Sequence, residues 1–220
     1  MKPVLQIAKS ATLLSDTDKT LRNLRKQFEE KHTLRLPGFL DPKLLKEIQE
    51  AVRKADFFEK THSKIAKESC MEQNPTLALT YLLLNDEKLF DGIRKITGCA
   101  TIGCFTGRLF RMVPGSDHYD SWHDDVTENR MIALSVNLST TVYKGGNLQI
   151  RDKKSKKIIY DAANTGPGDA VLFRVAPFLE HQVGKITGRV TRITYAGWFR
   201  SEPKFLDLLK KRSKISSATI

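Results

Sequence analysis

Residues 130–138 read RMIALSVNL, and this stretch decides the fold class because its side chains alternate in character. Every second residue is apolar, namely Ile132, Leu134, Val136 and Leu138. The residues between them are small or polar, namely Ala133, Ser135 and Asn137. Successive side chains on a β-strand point to opposite faces. The stretch therefore predicts a strand with one face in an apolar core and the other face on a polar cavity.

Similar short runs surround this strand, and turn residues separate them. They predict seven further strands, at 103–113, 118–124, 146–151, 157–161, 169–174, 180–186 and 190–200. Eight short strands at such spacing are typical of an antiparallel sandwich or barrel. We expect the charged run from Lys153 to Lys157 to form the turn between two of them.

Before Gly98 the apolar residues recur at helical spacing instead. The pattern predicts four helices, at 17–31, from Pro42 to at least Val52, at 76–84 and at 86–97. We expect Asp18 and Asp41 to cap the first two helices and Gly98 to end the fourth. Residues 33–40 suit a short strand and a turn.

The length of 220 residues fits one domain, and no linker divides the chain. We expect residues 1–100 to form a helical support layer and residues 101–200 to form the strand core. Residues 201–220 are expected to add a closing helix, at 203–212, and a tail. Loops at 53–75 and 114–122 are expected to shape the entrance of the cavity.

The composition is that of an ordinary globular protein, and its 40% apolar and 28% charged residues exclude a disordered or collagen-like chain. No apolar run reaches the roughly 18 residues that a membrane-spanning helix needs. Cys70, Cys99 and Cys104 are an odd number without metal-binding spacing, which indicates reduced thiols. Lys9 and Ser10 interrupt the apolar start too early for a secretory signal. We therefore expect a cytoplasmic protein without a membrane partner.

The net charge of +12 raises the question of an acidic partner. In the second half of the chain the basic excess lies in two stretches, 151–157 and 200–214. Such clusters can bind a phosphate backbone or another acidic surface. A solvated turn and a solvated tail explain them as well.

The candidate chemistry lies with the histidines of the second half. His123 and Asp125 form an H-x-D pair on a predicted strand, where residues i and i+2 point to one face. His181 lies on another predicted strand. Two imidazoles and one carboxylate on one face of an ion are typical of non-haem Fe(II) sites with open positions. His118 and Asp120 form a second H-x-D pair and are the alternative.

Arg192 begins the alternating run RITYAGWF, in which it shares a face with Thr194, Ala196 and Trp198. A guanidinium at this position can hold a carboxylate through two parallel hydrogen bonds. Arg189, which lies nearer the preceding turn, is the alternative for this role. Trp198 is expected to be a core residue, and Asp124 a solvated or hydrogen-bonded carboxylate that points away from the ion.

Six elements of this half follow one another in an order that resembles the Fe(II)/2-oxoglutarate-dependent dioxygenases, and within them the prolyl-hydroxylase branch. They are HDD at 123–125, NL at 137–138, GGNL at 145–148, GPGDAVLF at 166–173, EHQV at 180–183 and RITYAGWF at 192–199. The likeness covers about residues 101–200, and LPGFLDPKLLKEI before them resembles the helical lead-in more loosely. It implies a mainly β (α+β) fold, a double-stranded β-helix or jelly roll with N-terminal buttressing helices.

By this resemblance His123, Asp125 and His181 would be the catalytic residues and the ligands of Fe(II). The resemblance favours this H-x-D pair over the earlier one because Trp122 precedes it. The enzyme would use O2 and 2-oxoglutarate to hydroxylate a C–H bond, with succinate and CO2 as co-products and ascorbate as an optional cofactor.

The resemblance also implies a site for the cosubstrate. Arg192 would bind the distal carboxylate of 2-oxoglutarate, with Thr194 as a helper and Ser135 beside them. Several relatives carry tyrosines where this chain has Val113 and Ser135, so the affinity for 2-oxoglutarate is expected to differ from theirs.

The substrate would be a protein side chain, as for prolyl hydroxylases, or a small molecule. Nucleic-acid demethylation is a second enzymatic interpretation, but its R-x5-R signature is absent, because Trp198 stands six residues after Arg192. The alternative from another class is a non-catalytic jelly-roll module that keeps a metal and docks an acidic partner or nucleic acid through 151–157. Arg192 argues against this module, since a scaffold needs no cosubstrate anchor.

Overall fold

The structure is a computed structural model that describes residues 2–14, 18–62, 65–127, 129–163 and 165–210. The helices are α1 (Asp18–Lys31), α2 (Pro42–Lys54), α3 (Pro75–Leu83) and α4 (Glu87–Thr97). The strands are β1 (Leu5–Ile7), β2 (Thr12–Leu14), β3 (Thr33–Leu36), β4 (Phe57–His62), β5 (Ala66–Met71), β6 (Cys104–Met112), β7 (Tyr119–His123), β8 (Arg130–Asn137), β9 (Leu148–Asp152), β10 (Ile158–Ala162), β11 (Ala170–Arg174), β12 (Leu179–Val183) and β13 (Arg192–Arg200). Each of the four predicted helices and eight predicted strands is present, with ends shifted by a few residues.

Polar side chains fix where three of the helices begin. The side chain of Asp41 accepts hydrogen bonds from backbone N–H groups in the first turn of α2, and Asn74 and Asp86 do the same for α3 and α4. Gly98 ends α4 with a left-handed φ of 68°, which glycine adopts without strain. Asp18 lies inside the first turn of α1 and not at the capping position. The predicted capping role of Asp18 is therefore wrong.

The strands from β3 onward form one antiparallel sheet that folds over on itself. Its order is β10-β9-β12-β7-β5-β6-β13-β8-β11-β3, with β4 paired to β5. Ile150 of β9 and Val183 of β12 share an apolar cluster with Phe110 of β6 and Val171 of β11. The two ends of the sheet therefore face each other, as in the predicted double-stranded β-helix. The sheet has eleven strands and not eight, because β3, β4 and β5 extend it.

Strand β8 separates two apolar clusters, as its alternating sequence predicts. Ile132, Leu134 and Val136 belong to the larger cluster, which also holds buried residues of α2 and α4. Ala133 belongs to the smaller cluster between the two ends of the sheet. Ser135 lines the cavity that adjoins the smaller cluster. The helices thus cover one face of the sheet and leave the other face for the site.

The β4–β5 hairpin replaces the loop that the sequence analysis predicted at 53–75. Most of β4 is exposed, so its side chains show no apolar alternation. In β5 the buried residues include the polar Glu68 and Ser69. A hydrophobic pattern cannot reveal a strand of this kind. The short hairpin of β1 and β2 was also not predicted, since each strand has three residues.

The ends of the chain are described in part. Residues 205–210 are helical, in agreement with the helix predicted at 203–212, whose last two residues lie outside the described part of the chain. The same holds for the basic residues of the 200–214 stretch beyond residue 210. The division at residues 100 and 200 within a single domain stays a prediction. Among the described residues, no helix combines the length and the apolar character needed to cross a bilayer.

Candidate metal centre and cosubstrate site

Two histidines meet where β7 and β12 pair. His123 and His181 stand directly opposite each other, and their ring centroids are 4.2 Å apart. Asp125 follows β7 with a left-handed φ of 57°. Its Oδ1 lies 3.6 Å from Nε2 of His123, and its Oδ2 lies 3.3 Å from Nε2 of His181. The candidate ligand atoms all lie within 4.8 Å of one another, so one ion can contact all three.

The ring orientation of His123 is set by a hydrogen bond on its far side. Nδ1 of His123 lies 2.7 Å from the carbonyl oxygen of Ser121, which can only accept. Nδ1 therefore carries the proton, and the lone pair of Nε2 faces the cluster. Asp120 adds a carboxylate oxygen 3.4 Å from the same Nδ1. Nε2 of His123 is therefore the ring nitrogen that can bind a metal ion.

Two donors hold the carboxylate of Asp125. Trp198 Nε1 donates to Oδ2 over 2.7 Å, and Arg130 Nη1 donates to Oδ1 over 2.9 Å. The guanidinium of Arg130 also stacks on the Trp198 ring at 3.6 Å from its centroid. Burial alone would raise the pKa of Asp125. Opposing contacts lower this pKa to about 2: a hydrogen bond with His181, the positive charges of His181 and His123, and a hydrogen bond from the Trp198 indole. Asp125 is therefore ionised, the form that binds a cation.

Neither supporting role followed from the sequence. Trp198 was expected to be a core residue, whereas its indole N–H is a hydrogen-bond donor to a candidate ligand. Arg130 carried no sequence signal, because its contact with Asp125 depends on the turn that follows β7.

We expect Trp198→Phe to weaken metal binding about tenfold, since changes behind a ligand typically cost 10- to 100-fold. Phenylalanine keeps an aromatic ring under Arg130 but cannot donate to Oδ2 of Asp125. Titration with Mn(II), followed by the electron paramagnetic resonance signal of the free ion, measures the effect. Unchanged Mn(II) affinity would show that the indole does not position Asp125.

The residues of the alternative H-x-D pair lie apart from the cluster. Nε2 of His118 lies 3.0 Å from a carboxylate oxygen of Glu59, and its Nδ1 accepts from the backbone N–H of Val113. Asp120 lines the cavity and contacts His123 only from behind. Asp124 points away as expected, since its carboxylate forms an ion pair with Lys153 at 2.6 Å.

Arg192 is a buried cation, and two of its nitrogens have no hydrogen-bond partner in the described part of the chain. Arg192 is the first residue of β13 and is 4% exposed. Its side chain lines the same cavity as the two histidines and Asp125. Nε and Nη1 of Arg192 have no hydrogen-bond partner among the described residues. A buried, unpaired charge is costly, so this guanidinium marks a place for an anionic group. Arg189, the alternative, is exposed and does not line this cavity.

The other two predicted cosubstrate residues lie near Arg192. Ser135 lines both the main cavity and a narrow adjoining cleft, whereas Thr194 lines only the cleft. Tyr143, which the sequence analysis missed, lines the cleft as well. Gly146 packs against Arg192, and a Cβ there would lie 3.0 Å from Cδ of Arg192. Gly146, the second glycine of the GGNL motif, therefore leaves space for the arginine side chain.

The cavity itself has a volume of about 430 Å³. Apolar side chains such as Phe173 and Val183 line it beside the histidines. Residues of the β4–β5 hairpin line it as well, namely Lys60, His62, Ile65, Ala66 and Glu68, and the exposed Lys60 and Ile65 mark its rim. Arg108, which also lines the cavity, forms a 2.6 Å ion pair with the buried Glu68. The predicted entrance segment at 53–75 thus contributes to the cavity, although as a hairpin.

The part of the chain that contributes most of the cavity wall matches a known family. Residues 108–200 match the family model of the 2OG-Fe(II) oxygenase superfamily. These residues form a domain of the 2OG-Fe(II) oxygenase superfamily. The matched range contains both histidines of the cluster, Asp125 and Arg192. No curated protein sequence matches the chain.

Solved structures show the same fold at low sequence identity. A prolyl-4-hydroxylase of Pseudomonas putida is 15% identical over 83% of this chain and 100% of its own, with a TM-score of 0.63. An oxidoreductase of the 2OG-Fe(II) oxygenase family from Burkholderia pseudomallei is 15% identical over 84% of this chain and 92% of its own, with a TM-score of 0.63. A prolyl hydroxylase of Trichoplax adhaerens, in complex with a hypoxia-inducible factor peptide, is 14% identical over 84% of this chain and 90% of its own, with a TM-score of 0.64. The oxygenase therefore has a prolyl-hydroxylase-like fold.

Membership of this family implies the use of Fe(II), 2-oxoglutarate and O2. The residues of the cavity fit these groups. Two imidazoles and one carboxylate are the donors that non-haem Fe(II) takes in oxygenases. The unpaired guanidinium of Arg192 suits a carboxylate of 2-oxoglutarate. Residues 108–200 thus form an Fe(II)- and 2-oxoglutarate-dependent oxygenase domain, as the motifs predict.

Proposed function

We propose that His123, Asp125 and His181 bind Fe(II) and that Arg192 binds the distal carboxylate of 2-oxoglutarate. When bound, the iron and the cosubstrate supply the oxidising power that places one oxygen atom of O2 on a substrate carbon, with succinate and CO2 as co-products. The observation that carries the proposal is the shared cavity. The buried guanidinium of Arg192, whose Nε and Nη1 find no hydrogen-bond partner among the described residues, lines the same space as the three donors.

The residues around the donors keep them ready for a metal ion. Trp198 and Arg130 orient the carboxylate of Asp125, and the carbonyl of Ser121 fixes the proton of His123 on Nδ1. The ring of Phe173 packs against His181 with centroids 4.8 Å apart. This apolar wall excludes water from one side of the centre, which strengthens the electrostatic contacts inside it.

The cosubstrate end of the site combines charge and hydroxyl groups. We propose that Arg192 forms two parallel hydrogen bonds to the distal carboxylate and that the hydroxyl groups of Thr194 and Ser135 bind the same end. The support is that all three line the cleft next to the main cavity. Tyr143 lines this cleft too, and we propose that its phenol takes the part of the tyrosines that relatives carry elsewhere.

The proposal has a direct spectroscopic test. Under anaerobic conditions, addition of 2-oxoglutarate to the Fe(II)-loaded protein should produce a weak visible charge-transfer band. Arg189→Gln should keep the band, because Arg189 is exposed and lies outside the cavity. Absence of the band from the unmodified protein would contradict the proposed site.

We further propose that the substrate is a protein side chain. A cavity of about 430 Å³ is at the small end for ligand sites, and 2-oxoglutarate must share it. The remaining space suits one side chain better than a whole metabolite. Ile65 is 40% exposed at the rim, where it can contact a flanking peptide backbone. A prolyl hydroxylase with a similar fold was solved with a peptide bound.

Succinate release distinguishes protein from small-molecule substrates. We expect a pool of proline-containing peptides to stimulate succinate formation above the substrate-free rate and to gain one oxygen atom, as seen by mass spectrometry. Free L-proline serves as the control, since it lacks the flanking backbone that would contact the rim. Stimulation by free amino acids or metabolites alone would contradict a protein substrate.

The docking alternative has less support. Of the five basic residues in 151–157, three form ion pairs within the fold, namely Arg151, Lys153 and Lys156. A segment whose charges are neutralised in this way attracts nucleic acid weakly. For the cell compartment we propose the cytoplasm, because Cys70, Cys99 and Cys104 are free thiols that a reducing compartment preserves.

A further inference from the structure

The outer face of the sheet carries a row of charged residues directly behind the metal centre. On the inner face, Ile150 of β9 stands opposite His181 of β12, which stands opposite His123 of β7. One residue along, Arg151 stands opposite Glu180. Since neighbouring residues on a strand point to opposite faces, each of the two histidines has an outward-facing neighbour on its strand.

Arg151 connects the two strands that carry the histidines. Its Nη2 and Nε lie 2.7 and 2.8 Å from Oε2 of Glu180, the residue before His181. Its guanidinium also stacks on Trp122, the residue before His123, at 3.9 Å from the ring centroid. One side chain therefore contacts the residue that precedes each histidine.

Two lysines of the same hairpin complete the row. Lys153 forms a 2.6 Å ion pair with Asp124, which lies between His123 and Asp125 in the chain. Lys156 forms a 3.0 Å ion pair with Glu180. The three segments that carry the candidate ligands are thus each contacted from outside by the β9–β10 hairpin, whose turn is the basic run at 153–157.

We propose that Arg151, Lys153 and Lys156 form an external clamp that holds the ligand-bearing segments in register and thereby raises the affinity of the centre for its metal ion. These are positioning residues, because their contacts are with Trp122, Asp124 and Glu180. The proposal rests on the proposed metal site. In this proposal the basic residues of 151–157 stabilise the protein's own metal site and do not bind an acidic partner.

The strength of the contacts ranks the members of the clamp. The side chains of Arg151 and Glu180 are 18% and 12% exposed, so solvent screens their ion pair less than a surface pair. The planar guanidinium also stacks on the indole, which a lysine cannot do in the same way. Lys153 is 44% exposed, so its pair with Asp124 is weaker. Arg151 is therefore the principal member.

The direction in which metal affinity changes on removal of a clamp cation distinguishes positioning from a purely electrostatic effect. A cation near a metal site repels the metal ion, so removal of its charge strengthens metal binding if charge alone matters. The clamp predicts the opposite result, because the released segments no longer hold the donors together. A loss of affinity on removal of a positive charge is thus specific to positioning.

The test is Mn(II) titration of the full chain, with the electron paramagnetic resonance signal of the free ion as the readout. We expect Arg151→Met to raise the dissociation constant about tenfold, the typical cost of a change behind a ligand. We expect Lys153→Met to raise it less. The control is the double variant Lys154→Met/Lys157→Met, which removes two charges of the same turn that have no ion pair among the described residues, and it should leave the constant within about twofold.

Rescue and stability measurements exclude a general structural effect. The swap Arg151→Glu with Glu180→Arg should recover most of the Mn(II) affinity that Arg151→Glu alone loses. Urea unfolding of the metal-free protein reports whether a variant is folded, and Lys153→Met, at an exposed position, keeps the test available if Arg151→Met does not fold.

Equal or tighter Mn(II) binding by both Arg151→Met and Lys153→Met would overturn the clamp. Equal weakening by the control variant would also overturn it, since the effect would then belong to the net charge of the turn. If the unmodified protein binds Mn(II) no better than His181→Ala does, the failure is that of the proposed metal site, and the clamp fails with it.

Discussion

Replacement of His181 by alanine is expected to abolish succinate formation and to weaken Mn(II) binding by more than about 100-fold, since even changes behind a ligand cost 10- to 100-fold. Nε2 of His181 lies 3.3 Å from Oδ2 of Asp125, and its ring is the one imidazole that β12 contributes to the cluster. Without this imidazole, only His123 and Asp125 remain as metal ligands from the cluster. Mn(II) titration and succinate assays measure the two effects separately.

The matched control for this variant is His118→Ala. Like His181, His118 is buried, but it contacts Glu59 and lies outside the cluster. Its removal should leave Mn(II) affinity within a few-fold of the unmodified protein. If His118→Ala loses metal binding as completely as His181→Ala does, the assigned donor set is wrong.

The second large effect is expected from Arg192→Met, which should raise the KM for 2-oxoglutarate about 100-fold. Two hydrogen bonds to a charged group are each worth about 1.5–3 kcal/mol, and a loss of about 3 kcal/mol corresponds to two orders of magnitude. Arg192→Lys should lie between, because lysine keeps the charge but not the planar fork. Initial rates of succinate formation against 2-oxoglutarate concentration check this order.

We expect Arg192→Met to stabilise the metal-free fold although it weakens the binding of 2-oxoglutarate. The Arg192 guanidinium is buried, and its Nε and Nη1 have no partner among the described residues. Methionine retains much of the aliphatic volume and removes the unpaired charge, so the urea midpoint of the metal-free protein should rise. The exposed Arg189→Met should change neither KM nor midpoint. A lower midpoint with an unchanged KM would show that Arg192 is a structural residue.

The sequence sufficed for those parts of the site that depend on strand alternation. Arg192, Ala196 and Trp198 share one face of β13, so they reach the same cavity. Asp125 lies beyond the end of β7 with a left-handed φ of 57°, so strand alternation does not explain how it comes to lie beside His123. His181 could be linked to them only through the family resemblance, because strand pairing across the sheet cannot be derived from one strand. The register that sets His181 opposite His123 is a property of the whole sheet.

The remaining features depend on contacts between distant residues. The β4–β5 hairpin buries Glu68, whose ion pair with Arg108 makes burial of a carboxylate tolerable. The basic run at 151–157 has the composition of a docking site, and only the fold shows that three of its basic residues form ion pairs with Asp124 and Glu180. Charge pairs of this kind leave no periodic signal in the sequence.

The central claim is that the side chains of β7, β12 and β13 converge on one ferrous ion and its dicarboxylate cosubstrate. A crystal structure grown anaerobically with Mn(II) and 2-oxoglutarate tests it most directly. We predict an anomalous scattering peak in contact with Nε2 of His123, Nε2 of His181 and the carboxylate of Asp125, with the distal carboxylate of 2-oxoglutarate on the guanidinium of Arg192. A peak outside this cluster, or a carboxylate bound away from Arg192, would contradict the account.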